Sequence, residues 1–258
     1  MLYEQERVIT RIQQAVGREP TIHTCFLSGS FGRRTSDDYS DLDVALVFDT
    51  AAARDAAYGR RREFAESIMT YLPAKGFDAD HVRPNFYVVL YSNGTKADFR
   101  YETAEELQPN PWDRDIRILK DSRGWGAEFA AASQRSPIPP PTLISVNQLE
   151  ELDNRFWVMF WDTFRQVQRG DYDKPFRVYL EMTSFTLPTF FYLLPEDEPA
   201  YQNLISVFFN KDTKQTLSHL RQLLDAYVAA RTAVVRRHRL TFAPNSSFEQ
   251  SILKLVNK

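Results

Sequence analysis

The chain has 258 residues, 43% of them hydrophobic and 26% charged, which excludes wholesale disorder and leaves room for one large domain or two modest ones. With 32 basic and 34 acidic residues the formal charge is −2, so there is no bulk electrostatic reason to expect nucleic acid or acidic lipid as a partner. One cysteine, Cys25, excludes an internal disulfide, and four histidines are a thin supply for a zinc site. In chain order, the start (Met1 to Glu6) has no basic segment leading into an apolar run, and no later stretch approaches the ~20 apolar residues of a bilayer span. A soluble, cytoplasmic protein without a membrane partner is the expectation.

Leu2 to Val16 places Val8, Ile9, Ile12 and Val16 at helical spacing, and Gly17 ends the pattern. Thr21 to Leu27 and Leu42 to Phe48 read as strands, and Asp55 to Tyr71 as a helix. Asn85 to Tyr91 and Thr95 to Tyr101 flank the dipeptide Asn93-Gly94, a strong hairpin signal. Gln134 to Ser145 then carries Pro137, Pro139, Pro140 and Pro141, a stiff connector. Beyond it Ser145 to Arg169 shows Leu149, Leu152, Phe156, Met159 or Phe160, and Phe164 along one face, ended by Gly170. Asp173 with Pro175 opens another helix, and Asp212 with Gln215 opens one running to about Val235. The aromatic run Phe156, Trp157, Phe160, Trp161 and Phe164 reads as the core of a helical bundle rather than a ligand cage.

These elements predict an α+β chain. Residues 1–134 form a mixed sheet with flanking helices, 135–145 a Pro-rich linker, and 146–258 an all-α helical-bundle domain. Charge does not separate the halves: 14 basic and 13 acidic residues lie from 142 onward, 18 and 21 before it. Neither half is a nucleic-acid module. The basic run Arg231, Arg236, Arg237, His238 and Arg239 fits a helix C-terminus favoured by its dipole. His81 and His219 read as structural, and Cys25 as a small core residue.

The chemistry concentrates between Leu27 and Val47. A strand ends in Ser28-Gly29-Ser30, where Gly29 has no Cβ to keep a phosphate from the backbone and Ser30 adds a hydroxyl donor. Asp41 and Asp43 follow at i and i+2, so strand periodicity puts both carboxylates on one face. Adjacent carboxylates are costly unless a cation lies between them, and Mg²⁺ is commonly held by one or two carboxylates together with substrate phosphates. Asp37, Asp38, Ser40 and Asp41 would also suit a plain exposed turn. The joint occurrence of strand, Gly-Ser, Arg33, spacer, Asp-Leu-Asp and apolar strand favours a metal–nucleotide site instead.

Gly29-Ser30 followed by Asp41-Leu42-Asp43-Val44 resembles the signature of the DNA polymerase β-like nucleotidyltransferase superfamily. The likeness extends through Glu105-Glu106-Leu107, Ile118 to Gly124 and the Phe156-Trp157 helix ending in Arg169-Gly170. On those residues the chain is similar to the bacterial antibiotic nucleotidyltransferases of the aminoglycoside 6-adenylyltransferase type. Where many relatives have a small residue and then Arg-Gly after Gly-Ser, Gly32 is here followed by Arg33-Arg34, which leaves open which arginine, if either, touches a triphosphate.

The resemblance implies a transferase that moves AMP from ATP, or the corresponding group of another NTP, to a hydroxyl of a small molecule such as an aminoglycoside. It implies Mg²⁺ held by Asp41, Asp43 and Asp98, nucleotide held by Gly29, Ser30 and Arg33, and a homodimer as an open option. Asp98, two positions from Lys96 and Arg100 on one strand face, is the first choice for catalytic base; Glu150, Glu151 and Glu181 of the helical part are the alternatives. Competing acceptors are a lincosamide, or a protein or RNA as in toxin–antitoxin nucleotidyltransferases. A nucleotide-binding scaffold without catalysis is disfavoured by the three intact carboxylates.

Overall fold

The structure is a computed structural model that describes residues 2–69, 75–79, 82–138, 143–209, 212–242, 244 and 246–256. It divides into two compact units, one made of Met1–Ile138 with Phe242–Lys258 and the other of Pro139–Thr241. The fold is α+β, and among the described residues the strands are confined to the first unit.

Helix α1 (Leu2–Arg18) buries Val8, Ile9, Ile12 and Val16, because their 3–4 spacing holds them on one face. Strand β1 (Ile22–Leu27) runs into the short helix α2 (Gly29–Arg33), and β2 (Leu42–Phe48) follows. The helix expected over 55–71 is instead two: α3 (Ala51–Gly59) and α4 (Arg61–Ile68). Thr50 starts the first, its hydroxyl accepting from the Ala53 N–H at 3.2 Å. Gly59, a poor helix former, ends it, and Arg60 turns back with its N–H on the Ala57 carbonyl at 3.0 Å. Tyr71, the expected end, lies outside the described residues, as do His81 and Pro139 to Pro141.

Strands β3 (Lys75–Asp78), β4 (Phe86–Leu90) and β5 (Lys96–Thr103) come next. The Asn93-Gly94 hairpin between the last two is present, with Gly94 at φ +88 and the Asn93 side chain accepting from the Thr95 N–H. A 3-10 turn at Pro111–Asp113 precedes β6 (Arg117–Asp121) and α5 (Trp125–Gln134). The hydrophobic pattern marks neither β3 nor β6 as a strand. Both are edge strands, and β6 exposes Ile118 while burying only Leu119.

Among the described residues the strands form one six-stranded mixed sheet in the order β3-β4-β5-β2-β1-β6. Only β2 and β5 run parallel to each other. One face packs Leu42, Val44, Leu46, Phe99 and Tyr101 against α1 and α4; the other packs Phe26, Ala45 and Val47 against Phe129 of α5. A strand covered on both sides reads as a continuous apolar run, as β2 does apart from Asp43.

In the second unit Ser145 and Gln148 form a capping box at the start of α6 (Val146–Gln168). α7 (Asp173–Glu181) passes through a π-helical turn, Met182–Thr186, into α8 (Leu187–Leu193). Asp173 is the first residue of α7, one position inside the expected cap. α9 (Pro199–Phe208) and α10 (Thr213–His238) follow, and Asp212 caps α10 by accepting from the N–H groups of Lys214 and Gln215. The basic run closes α10, with Arg239 in a left-handed cap. α11 (Ser246–Val256) is grouped with the first unit. The α6 aromatics do not make the packed core expected of them. Trp157 is 59% and Trp161 61% exposed, and the rings stack along the helix on one another instead.

Phe99 lies fully buried beside Asp98 on β5, edge-on to Phe64 at 5.9 Å. Phe99→Ala should cost about 3–5 kcal/mol in denaturant unfolding. Phe164→Ala, at a ring 47% exposed, should change stability by about 0.5 kcal/mol.

Candidate active site

The site is built where β1, β2 and β5 lie side by side. In the parallel pairing of β2 with β5, Asp43 stands opposite Asp98, and Leu42 opposite Ala97. Alternation along β5 turns Lys96, Asp98, Arg100 and Glu102 to one face and buries Ala97, Phe99, Tyr101 and Thr103 on the other. Asp41 sits just ahead of β2, at the end of a loop held by local bonds. The Asp37 carboxylate accepts from the Tyr39 N–H at 2.9 Å and the Ser40 hydroxyl at 3.0 Å, and the Gln5 amide of α1 donates to the Ser40 carbonyl. The loop is thus a turn, as its residue types allow, and it delivers Asp41 to the start of β2.

Asp41, Asp43 and Asp98 converge. Each can offer a carboxylate oxygen, and these oxygens lie within 4.8 Å of one another. The Lys96 ammonium bridges two of them, 2.9 Å from Asp41 Oδ2 and 2.6 Å from Asp98 Oδ2. Asp98 Oδ1 is buried with no hydrogen-bond partner among the described residues. Burial first, then the charges of Asp41 and Asp98, raise the Asp43 carboxyl above its ordinary value. Burial works against the Lys96 charge, but hydrogen bonds to Asp98 and Asp41 outweigh it and hold its ammonium above the usual range.

Gly29 is part of the same construction. It adopts φ +60, and a Cβ there would stand 1.9 Å from Asp43 Oδ2. The Ser28 N–H donates to the Asp43 carbonyl at 2.9 Å, tying the glycine–serine turn to β2. The loop thus reaches the carboxylate only because position 29 carries no side chain. Ser30 follows, half-buried, in the first turn of α2. Arg33 and Arg34 lie exposed at the far end of that helix, Arg34 in a left-handed cap.

Three supports were not visible as such in the sequence. Lys96 is the counter-ion of the acidic group. Arg100 pairs in two hydrogen bonds, 2.9 and 3.1 Å, with the buried carboxylate of Asp113, which Asn110 also holds at 3.0 Å. Gln5 fixes the Asp41 loop from α1. The alternation Lys-x-Asp-x-Arg pointed to the first two; nothing local pointed to Gln5 or Asp113.

The remaining candidates are on other elements. Cys25 is buried, its thiol pushed up to about 12 by burial, so it is inert core. Glu150 and Glu151 are exposed on α6, and Glu181 pairs with Arg155, all within the second unit. His219 is exposed on α10.

The residues fit a divalent cation: hard oxygen donors, close together, one of them unpartnered. Without metal, ionising Asp43 costs the fold stability, because its folded value lies above its unfolded one. That cost is present at neutral pH, fades as pH falls through the raised folded value, and is gone below the ordinary carboxylate value near about 4. Asp43→Asn should therefore raise the unfolding midpoint in EDTA at pH 7, with the gain shrinking as pH drops to about 4. A lowered midpoint at pH 7 would contradict this charge balance.

The family model described as streptomycin adenylyltransferase matches residues 2–172. Comparison with curated proteins returns no significant match. Among the described residues no helix is long and apolar enough to cross a membrane. The family match takes in every strand of the sheet and all three converging carboxylates, so the chain belongs to the streptomycin adenylyltransferase family and is a nucleotidyltransferase.

Proposed function

We propose that the chain moves AMP from Mg-ATP to a hydroxyl of a small, aminoglycoside-type antibiotic, with streptomycin, named by the family, as the first acceptor to test. The observation that carries this reading is the convergence of Asp41, Asp43 and Asp98 beside Gly29, with Asp98 Oδ1 left unpartnered. Asp41 and Asp43 would hold Mg²⁺, and Asp98 would share in it. A divalent ion there supplies positive charge against the oxygens of the transferring phosphoryl group.

The residues divide the remaining work. Gly29 lies against Asp43, where the triphosphate must come to reach the acidic group, and Ser30 follows it in the first turn of α2 as a hydroxyl donor. Arg33 is the candidate contact for the outer phosphates. The acceptor hydroxyl oxygen forms a bond to the α-phosphorus while the bond from that phosphorus to the bridging oxygen of the β-phosphate breaks, releasing pyrophosphate. The hydroxyl proton passes to Asp98 Oδ1, the oxygen of that carboxylate without a partner among the described residues. General-base help of this kind is worth about 10²–10⁴ in rate. The buried Arg100–Asp113 pair, two residues along β5, keeps that face of the strand in place without adding net charge.

Incubation with Mg-ATP and a panel of aminoglycosides and lincosamides should give a mass gain of one nucleotide on an aminoglycoside and release pyrophosphate. Labelling only of a protein or RNA would overturn the small-molecule reading. Asp41→Ala should abolish transfer while the protein stays folded. Asp98→Asn should lower turnover by about 10²–10⁴ with a much smaller effect on nucleotide affinity; equal losses in both would assign Asp98 to the metal alone.

A further inference from the structure

Lys96 occupies the space between two of the carboxylates that the proposed metal site requires. It precedes Asp98 by two positions on β5, so both project from the sheet face that carries Asp43. Its Nζ sits 2.6 Å from Asp98 Oδ2 and 2.9 Å from Asp41 Oδ2. A Mg²⁺ ion binds such oxygens at about 2.0–2.1 Å. An ion that bridged these same two oxygens from between them would have to take the place of the ammonium.

Lys96 offsets part of the charge of the group. Arg100, the other cation on that face of β5, is committed to Asp113 through two hydrogen bonds. One ammonium does not complete the site, since Asp98 Oδ1 still has no partner among the described residues. The Lys96 side chain is 42% exposed on a flexible stem, so it has a route out to solvent.

We infer that Lys96 is a tethered occupant of the cation site: it holds Asp41 and Asp98 together in the metal-free protein and is displaced when a divalent ion binds. The inference rests on the metal-dependent reading above. Its consequence is a weak site for the free ion, because apparent affinity falls in proportion to the fraction of time the site is open. An ion arriving with nucleotide brings phosphate oxygens that can accept the released ammonium. Metal carried in with nucleotide therefore loads more readily than the free ion.

The test is calorimetric titration of Mn²⁺ into nucleotide-free protein, wild type against Lys96→Met. The variant should bind Mn²⁺ about tenfold more tightly, as expected for a lysine that occupies the site about nine-tenths of the time. Equal or weaker binding by the variant, with the wild type still binding, would overturn the role of Lys96 and leave the metal site standing. No saturable binding by either protein would overturn both. A second measurement needs no variant: reductive methylation of the wild type, read by mass spectrometry, should modify Lys96 several-fold faster once Mg²⁺ is added without nucleotide. An unchanged rate at Lys96 would also overturn the inference.

Discussion

Mutual repulsion of three carboxylates is the constraint around which the first unit is arranged. Asp43 and Asp98 face each other across the parallel β2–β5 pairing, and Asp41 is delivered beside them by the loop that leads into β2. Like charges at this separation raise the free energy of the folded state, and partial burial increases the effect by removing water. The rest of the unit holds them there regardless. β2 is buried along both faces, β5 buries every second residue, and neither strand can rotate without exposing its apolar side.

The same alternation explains how one strand serves packing and chemistry together. Ala97, Phe99 and Tyr101 join the larger core, while Lys96, Asp98, Arg100 and Glu102 form a row of alternating sign on the opposite face. Each charge in that row has a partner of its own: Asp41 for Lys96, Asp113 for Arg100, Arg83 for Glu102. Glu102 is raised above its ordinary value chiefly by burial, in spite of the Arg83 guanidinium. Asp98 differs in keeping one oxygen without a partner among the described residues, which sets it apart from the structural pairs beside it.

Much of this was legible in the sequence, for physical reasons that also explain what was not. β2 came out residue for residue because it is apolar and bounded by Asp41 and Asp49, and the Asn93-Gly94 turn announced the β4–β5 hairpin. Asp-Leu-Asp and its distance from Gly-Ser are local features, so the candidate site was visible before the fold. Edge strands β3 and β6 carry too few buried side chains to stamp a pattern. Thr50 as the cap of α3 was masked by the alanines after it, which show no amphipathic stripe. Gln5 and Asp113 act through contacts made only when distant segments meet. The aromatic face of α6 looked like a core because periodicity reports which residues share a face, not whether anything covers it.

The parallel pairing of β2 and β5 requires the chain to leave the sheet and return between them, and α3, α4 and the β3–β4 edge fill that excursion. Insertions there lengthen a connection whose closure entropy grows only slowly with length, and they leave the hydrogen-bonded register of the two central strands untouched. Evolution, or a protein engineer, can thus remodel that lobe and change its size or outer surface while the reactive centre keeps its geometry.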